Sequence, residues 1–202
     1  MKEIKLYLVR HGKTYCNERR LYCGKSDVEL SESGKEQLME ISRRVKYTKC
    51  DFYFTSGAKR ANQTLEIICP QNKYEILNKF FEYDFGDFEL RSYEELKLLK
   101  EYITWIEDEE GNVKCPSGES RAEFRKRVND GFVELINYII KENIDTAFGV
   151  IHGGSIGMLL EMFYDSKKKF YEWQPSNGEG YELTIKIRKD EQFEIENVSQ
   201  IQ

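Results

Sequence analysis

Two apolar runs in this chain end in the same way. Ile4-Lys5-Leu6-Tyr7-Leu8-Val9 leads into Arg10-His11-Gly12, and Ala147-Phe148-Gly149-Val150-Ile151 leads into His152-Gly153-Gly154. Short apolar runs bounded by glycine read as strands buried within a sheet. His11 and His152 are the chain's 2 histidines, and each falls where such a strand should end. In α/β sheets the carboxyl ends of strands are where ligands bind. The repeated setting points to one site built from both ends of the chain, with Arg10 beside His11.

The 202 residues suit one domain spanning 1–202 with a continuous core, and 40% apolar with 33% charged residues is ordinary globular composition. A net charge of −5 argues against a nucleic-acid partner, whose binding asks for a basic face. No apolar stretch approaches the roughly 20 residues that span a bilayer, so no membrane partner is expected. The first residues lead directly into a strand without a signal-peptide pattern, which predicts a cytoplasmic protein. The 5 cysteines lack regular spacing, so neither a disulfide framework nor a zinc site is expected. Nothing in the sequence indicates an oligomeric state.

Strand and helix then alternate. A polar loop over 16–30 contains Asn17 and Cys23-Gly24. Ser31 or Ser33 can cap a helix carrying Leu38, Ile41 and Val45 at helical spacing. Residues 51–55 read as a strand, Ser56-Gly57 as a turn, and 58–68 as a helix stopped by Pro70. Tyr74 to Leu77 is a short strand. Residues 80–118 break the alternation with an aromatic-rich segment, expected to be a cap that is partly helical from Ser92 to Ile106. The acidic run 107–110 reads as a solvated loop. Ser120 and Glu123 form a capping box for a long helix. A strand to Ile151, a helix from Ser155 to Phe163 and a closing hairpin through Tyr181–Ile187 and Phe193–Ile195 complete the chain. The expected fold is α/β and three-layered: a mostly parallel central sheet between helices, with a C-terminal antiparallel hairpin.

The chemistry starts from Arg10-His11. A neutral imidazole can attack phosphorus to give a phosphohistidine, and an adjacent guanidinium can orient the phosphoryl oxygens through paired hydrogen bonds. A second cation is needed for the remaining oxygens. Arg60, opening the helix after Thr55-Ser56-Gly57, is a candidate, and the helix N-terminus adds positive potential. An acid must protonate the leaving alkoxide and later activate water. Glu82, Asp84, Asp87 and Glu89 are all available, and pattern alone does not choose among them.

These blocks resemble the histidine phosphatase superfamily, the phosphoglycerate-mutase-like proteins. The opening Arg-His-Gly-x-Thr-x-x-Asn stands here as Arg10 to Asn17. Gly24, Asp27 and Leu30 match the next block, Thr55 to Thr64 the third, Glu82 to Gly86 the fourth, and His152-Gly153 the last. The resemblance implies that His11 is the nucleophile and that Arg10, Arg60 and His152 complete a phosphate pocket. It implies Glu82 as proton donor, Asn17 as a phosphoryl contact, and Gly153 as a backbone N–H donor. It implies no metal and no organic cofactor. Cys23 stands where some relatives, mutases among them, have serine; with Gly24 it borders the expected phosphate site, and a thiol is a weak donor there.

Rival readings are fewer. Gly153-Gly154-Ser155-Ile156-Gly157 matches the nucleophile elbow of serine hydrolases, but no histidine follows Ser155 as that order requires. Within the superfamily, mutases are usually longer, so hydrolysis of a small phosphorylated metabolite is expected. Leu21-Tyr22-Cys23-Gly24 and Phe85-Gly86-Asp87-Phe88-Glu89 resemble the α-ribazole-phosphate phosphatase branch. A broad-specificity phosphatase and a phosphoglycerate mutase are the alternatives. A non-catalytic binder of phosphorylated ligands is the reading from another class.

Overall fold

The computed structural model describes residues 2–45, 49–188 and 192–201. Strand β1 (Lys2–Arg10) excludes Ile4, Leu6, Leu8 and Val9 from solvent. Helix α1 (Tyr15–Glu18) is one turn, closed by a capping box between Thr14 and Asn17. Helix α2 (Glu32–Arg44) is capped by Ser31, whose hydroxyl accepts from the Gly34 N–H. Strand β2 (Phe52–Thr55), helix α3 (Lys59–Ile68) and the two-residue strand β3 (Glu75–Ile76) follow.

Segment 80–118 holds two 3-10 turns, Asn78–Phe80 at its start and Gly86–Phe88, then helices α4 (Tyr93–Leu96) and α5 (Lys100–Ile106). The partly helical stretch expected from Ser92 to Ile106 is two short helices, the first closed by a Ser92–Glu95 capping box. Helix α6 (Arg121–Lys141) starts at the predicted Ser120–Glu123 box. Strand β4 (Thr146–Ile151) and helix α7 (Gly153–Phe163) come next, then strands β5 (Gly180–Ile187) and β6 (Phe193–Gln200). Helix α7 starts two residues before the expected Ser155, with His152 as its N-cap.

Among the described residues the sheet has six strands in the order β3-β2-β4-β1-β5-β6. Strands β3, β2, β4 and β1 pair in parallel, while β5 and β6 add antiparallel. This is the mostly parallel sheet with a closing hairpin that the alternation predicts. Both faces are covered because the apolar residues of the inner strands alternate. Ile4, Leu6 and Leu8 of β1 and Ala147 of β4 pack with Phe124, Val128, Leu159 and Leu160 of α6 and α7. Val9, Phe148 and Val150 pack with Leu38, Ala61 and Leu65 of α2 and α3. Full burial of each such Leu, Ile or Phe contributes about 1.5–3 kcal/mol before entropy.

The aromatic residues of 80–118 divide by role. Phe80, Phe88 and Tyr102 are buried in the core, Phe85 and Trp105 are half-buried and reach a cavity, and Tyr83 is buried in the core and borders that cavity too. In the acidic run, Glu107, Glu109 and Glu110 are exposed as expected. Asp108 differs: its carboxylate accepts from the Val113 N–H and borders the same cavity.

Candidate active site

The parallel register of β1 and β4 sets Arg10 opposite Ile151, so the residue after each strand is a histidine beside the other. The His11 N–H donates to the Ile151 carbonyl at 3.0 Å, and the two imidazole centroids are 5.2 Å apart. His11 is nearly solvent-excluded, and its Nδ1 lies 2.7 Å from the Gly12 carbonyl. A carbonyl only accepts, so Nδ1 carries the proton; in the neutral ring Nε2 then keeps its lone pair. Burial, with Arg60 and Arg10 nearby, holds His11 well below the usual histidine range. The ring is neutral at pH 7.

His152 is fully buried and its Nε2 lies 2.7 Å from Ser56 Oγ. Burial first, then Arg60, His11 and Arg10, also holds this ring well below the ordinary value. The Ala58 N–H donates to the same Ser56 oxygen at 3.4 Å. When the Ser56 hydroxyl donates to Nε2, the ring proton of His152 resides on Nδ1.

Two guanidinium groups stand against these neutral rings. Arg60, in the first turn of α3, is fully buried and donates to the carbonyls of Ser26 (2.8 Å) and Gly24 (2.6 Å). Arg10 donates to the Pro175 carbonyl at 2.9 Å; burial lowers its pKa, with Glu82 acting in the opposite sense. Among the described residues, Arg10 Nε, Arg60 Nε and His152 Nδ1 are buried without a protein hydrogen-bond partner. Buried polar groups are normally paired, so three orphans around one histidine mark an anion-receptive centre.

Of the four candidate carboxylates, Glu82 alone reaches the cavity lined by His11. Its Oε2 accepts from the Gly154 N–H at 2.9 Å, at the amino end of α7, and Oε1 accepts from the Tyr83 N–H at 3.0 Å. Glu89 is consumed structurally, accepting from the N–H groups of Gly24, Lys25, Ser26 and Phe85. Asp84 accepts from the Gly86 N–H and pairs with Lys25, and Asp87 is exposed.

A cavity of about 450 Å³ gathers Arg10, His11, Asn17, Cys23, Arg60 and Glu82. His152 and Gly153 sit behind its wall, Gly153 against the Arg10 guanidinium. Gly24 turns its N–H to Glu89 and its carbonyl to Arg60, and its Cα lies so close to the Tyr83 carbonyl that no side chain fits. Asn17 Oδ1 accepts from Thr14 and Asn177, which leaves its NH₂ as the group with donors to offer. Ser155, the elbow serine, is buried with its hydroxyl donating to the Phe80 and Phe81 carbonyls, as a helix-start residue rather than an exposed nucleophile. Trp105 comes from the aromatic cap expected over the site, while sequence reasoning missed Gly154, Asp108, Arg121 and Gln174 on the wall. The doubled glycine after His152 was the one available signal, for Gly154.

A family model described as the histidine phosphatase superfamily (branch 1) matches residues 6–199. An adenosylcobalamin/alpha-ribazole phosphatase from Salmonella typhimurium is 28% identical over 170 residues, covering 78% of each chain. In three dimensions the chain is similar to the alpha-ribazole phosphatase from Shigella flexneri, with a TM-score of 0.79 at 22% identity over 95% of this chain and 94% of that one. It is also similar to a phosphoglycerate mutase from Bacillus anthracis, with a TM-score of 0.77 at 21% identity, covering 97% and 92%.

Proposed function

Because the chain belongs to the histidine phosphatase superfamily, we propose that it hydrolyses a small phosphomonoester through a phosphoryl group carried on His11. The neutral ring of His11, with its proton held by the Gly12 carbonyl, supports this reading above all else. A lone pair on Nε2 is available without prior deprotonation, next to two permanent cations.

The reaction runs in two displacements. Arg10, Arg60 and the Nδ1 side of His152 hold the phosphoryl oxygens, with the Asn17 amide as a further donor. Nε2 of His11 bonds to phosphorus as the ester P–O bond breaks, and the protonated Glu82 carboxyl gives its proton to the departing alkoxide. Water then attacks phosphorus, Glu82 takes the proton from that water, and the P–N bond breaks to release phosphate and restore His11. The buried guanidinium groups supply the charge neutralisation for which other phosphatases recruit metal ions, so turnover should persist in EDTA.

The finer reading is an aromatic, carboxylate-free alcohol half, with α-ribazole 5′-phosphate as the leading candidate. Tyr22, Phe85 and Trp105 line the cavity wall, and the Salmonella relative is named an alpha-ribazole phosphatase. Arg121, a further cation there, donates to the Asp108 and Glu109 carbonyls. A broad-specificity phosphatase is the second reading. Five free cysteines agree with a reducing, cytoplasmic setting.

The test is hydrolysis of p-nitrophenyl phosphate in EDTA by the wild type and by His11→Ala. Loss of turnover in the variant is expected. Full turnover in His11→Ala, or none by the wild type in EDTA, would refute the proposed mechanism. A panel of α-ribazole phosphate, sugar phosphates and phosphoglycerates then ranks the substrates.

A further inference from the structure

Glu82 lies in a stretch of chain with no sheet or helix ladder to hold it, between the 3-10 turn ending at Phe80 and the one starting at Gly86. Three carbonyls in and just before it are held by one side chain of α6, with Ser155 sharing that of Phe81. Arg127 Nη1 takes the carbonyls of Lys79 (2.9 Å) and Phe81 (2.8 Å), and Nη2 takes that of Glu82 itself (3.1 Å). The remaining donors of Nη2 and Nε go to the two carboxylate oxygens of Glu119. All five N–H donors of the guanidinium are therefore used. Glu119 carries the connection onward, accepting from the Asp84 N–H at 2.9 Å and donating its own N–H to the Asp84 carbonyl at 3.1 Å. Both side chains of the pair are largely buried.

Such an arrangement exceeds what an ordinary ion pair requires. Arg127 does not border the cavity that holds His11 and Glu82, so it is not placed to touch a substrate there. It grips three carbonyls within four residues, and the last belongs to the acid. A lysine could keep the charge but offers no planar fork to span them.

We propose that Arg127, braced by Glu119, is a positioning residue that sets the Glu82 carboxyl for proton transfer to the leaving group. This inference rests on the assignment of Glu82 as the acid, and the test separates the two. General acid help matters for a poor leaving group such as phenol and little for 2,4-dinitrophenol, which departs unassisted. The readout is the ratio of kcat/KM for phenyl phosphate to that for 2,4-dinitrophenyl phosphate. Because both substrates meet the same preparation, the ratio does not depend on how much of a variant is folded.

Glu82→Gln should lower that ratio by about 100-fold, and Arg127→Lys by about 10-fold or more, the scale expected for a misplaced acid. Glu119→Gln should lower it in the same direction by less. In the Glu82→Gln background, Arg127→Lys should leave the ratio where Glu82→Gln alone put it, since there is no acid left to position. A selective loss in Glu82→Gln with an unchanged ratio in Arg127→Lys overturns the positioning role alone. An unchanged ratio in Glu82→Gln overturns the acid assignment and the positioning role with it.

Discussion

The Gly154 N–H donates to Glu82 Oε2 at 2.9 Å, and a Cβ built on Gly154 would lie 2.2 Å from Glu82 Oε1. The amino end of α7 thus receives the carboxylate only because residue 154 has no side chain. Gly154→Ala should leave the helix intact, since the clash is with the far end of a flexible side chain, but should push Glu82 from its seat. A fall in kcat of about 10- to 100-fold is expected with p-nitrophenyl phosphate, with little change in thermal midpoint. An unaltered kcat would mean that this contact does not position Glu82 for the proposed proton transfer.

The two histidines make stability depend on mild acid. Both folded rings are held well below the ordinary histidine value of 6.5, so between that value and their own the unfolded chain binds more protons. Stability is complete above about pH 6.5 and is lost as pH falls below it, by up to about 1.4 kcal/mol per pH unit for each ring. Urea midpoints at pH 7.5, 6.5 and 5.5 should show a flat step and then a drop. His11→Asn should reduce the drop by about half.

The thiols of Cys16 and Cys23 interact with each other, and the Cys23 thiol donates to the Ser26 carbonyl at 3.8 Å. Cys16 is buried and Cys23 borders the cavity. Peroxide should oxidise one of the two thiols to a sulfenic acid, which condenses with the other, releasing water and forming a disulfide. Activity should fall with peroxide and return with dithiothreitol, and Cys23→Ser should lose the reversible component. Full activity after oxidation of the thiols would rule this out.

Trp105 donates from Nε1 to the Tyr83 hydroxyl at 3.0 Å and shows part of its ring to the cavity. Trp105→Phe keeps a ring and loses the tether; Trp105→Ala loses both. For an aromatic phosphomonoester such as α-ribazole phosphate, Trp105→Ala should raise KM about fivefold to tenfold, the worth of about one ring contact. KM for glycerol phosphate should change much less. Equal changes for both substrates would show that Trp105 supports the fold rather than selectivity.

The parts of this molecule most legible in the sequence were those where a local pattern and its burial coincide. The runs into His11 and His152 became neighbouring parallel strands, and Ser31 and Ser120 cap the helices expected of them. Glu82 could not be separated from Glu89 by pattern, because what distinguishes them is which backbone amides surround each carboxylate. Gly24 was expected at the phosphate and instead offers its N–H to Glu89, a partner 65 residues away. Nothing in the sequence singles out Arg127 or Glu119. Their five-donor arrangement depends on carbonyls of a distant irregular segment, which has no sequence period to reveal it.

Strand β1 lies between β4 and β5, both of which are synthesised long after it. On the ribosome, therefore, the strand that carries Arg10 and His11 is made early and waits with both edges unpaired. Lys2, Glu3 and Lys5 interrupt its apolar residues and discourage premature pairing with other chains. A nascent chain that stops before β4 lacks the His11–His152 pair, because His11 gains its neighbour only when β4 docks. Activity in this fold is a late event of chain synthesis, and any stall before β4 yields an exposed strand rather than a weak enzyme.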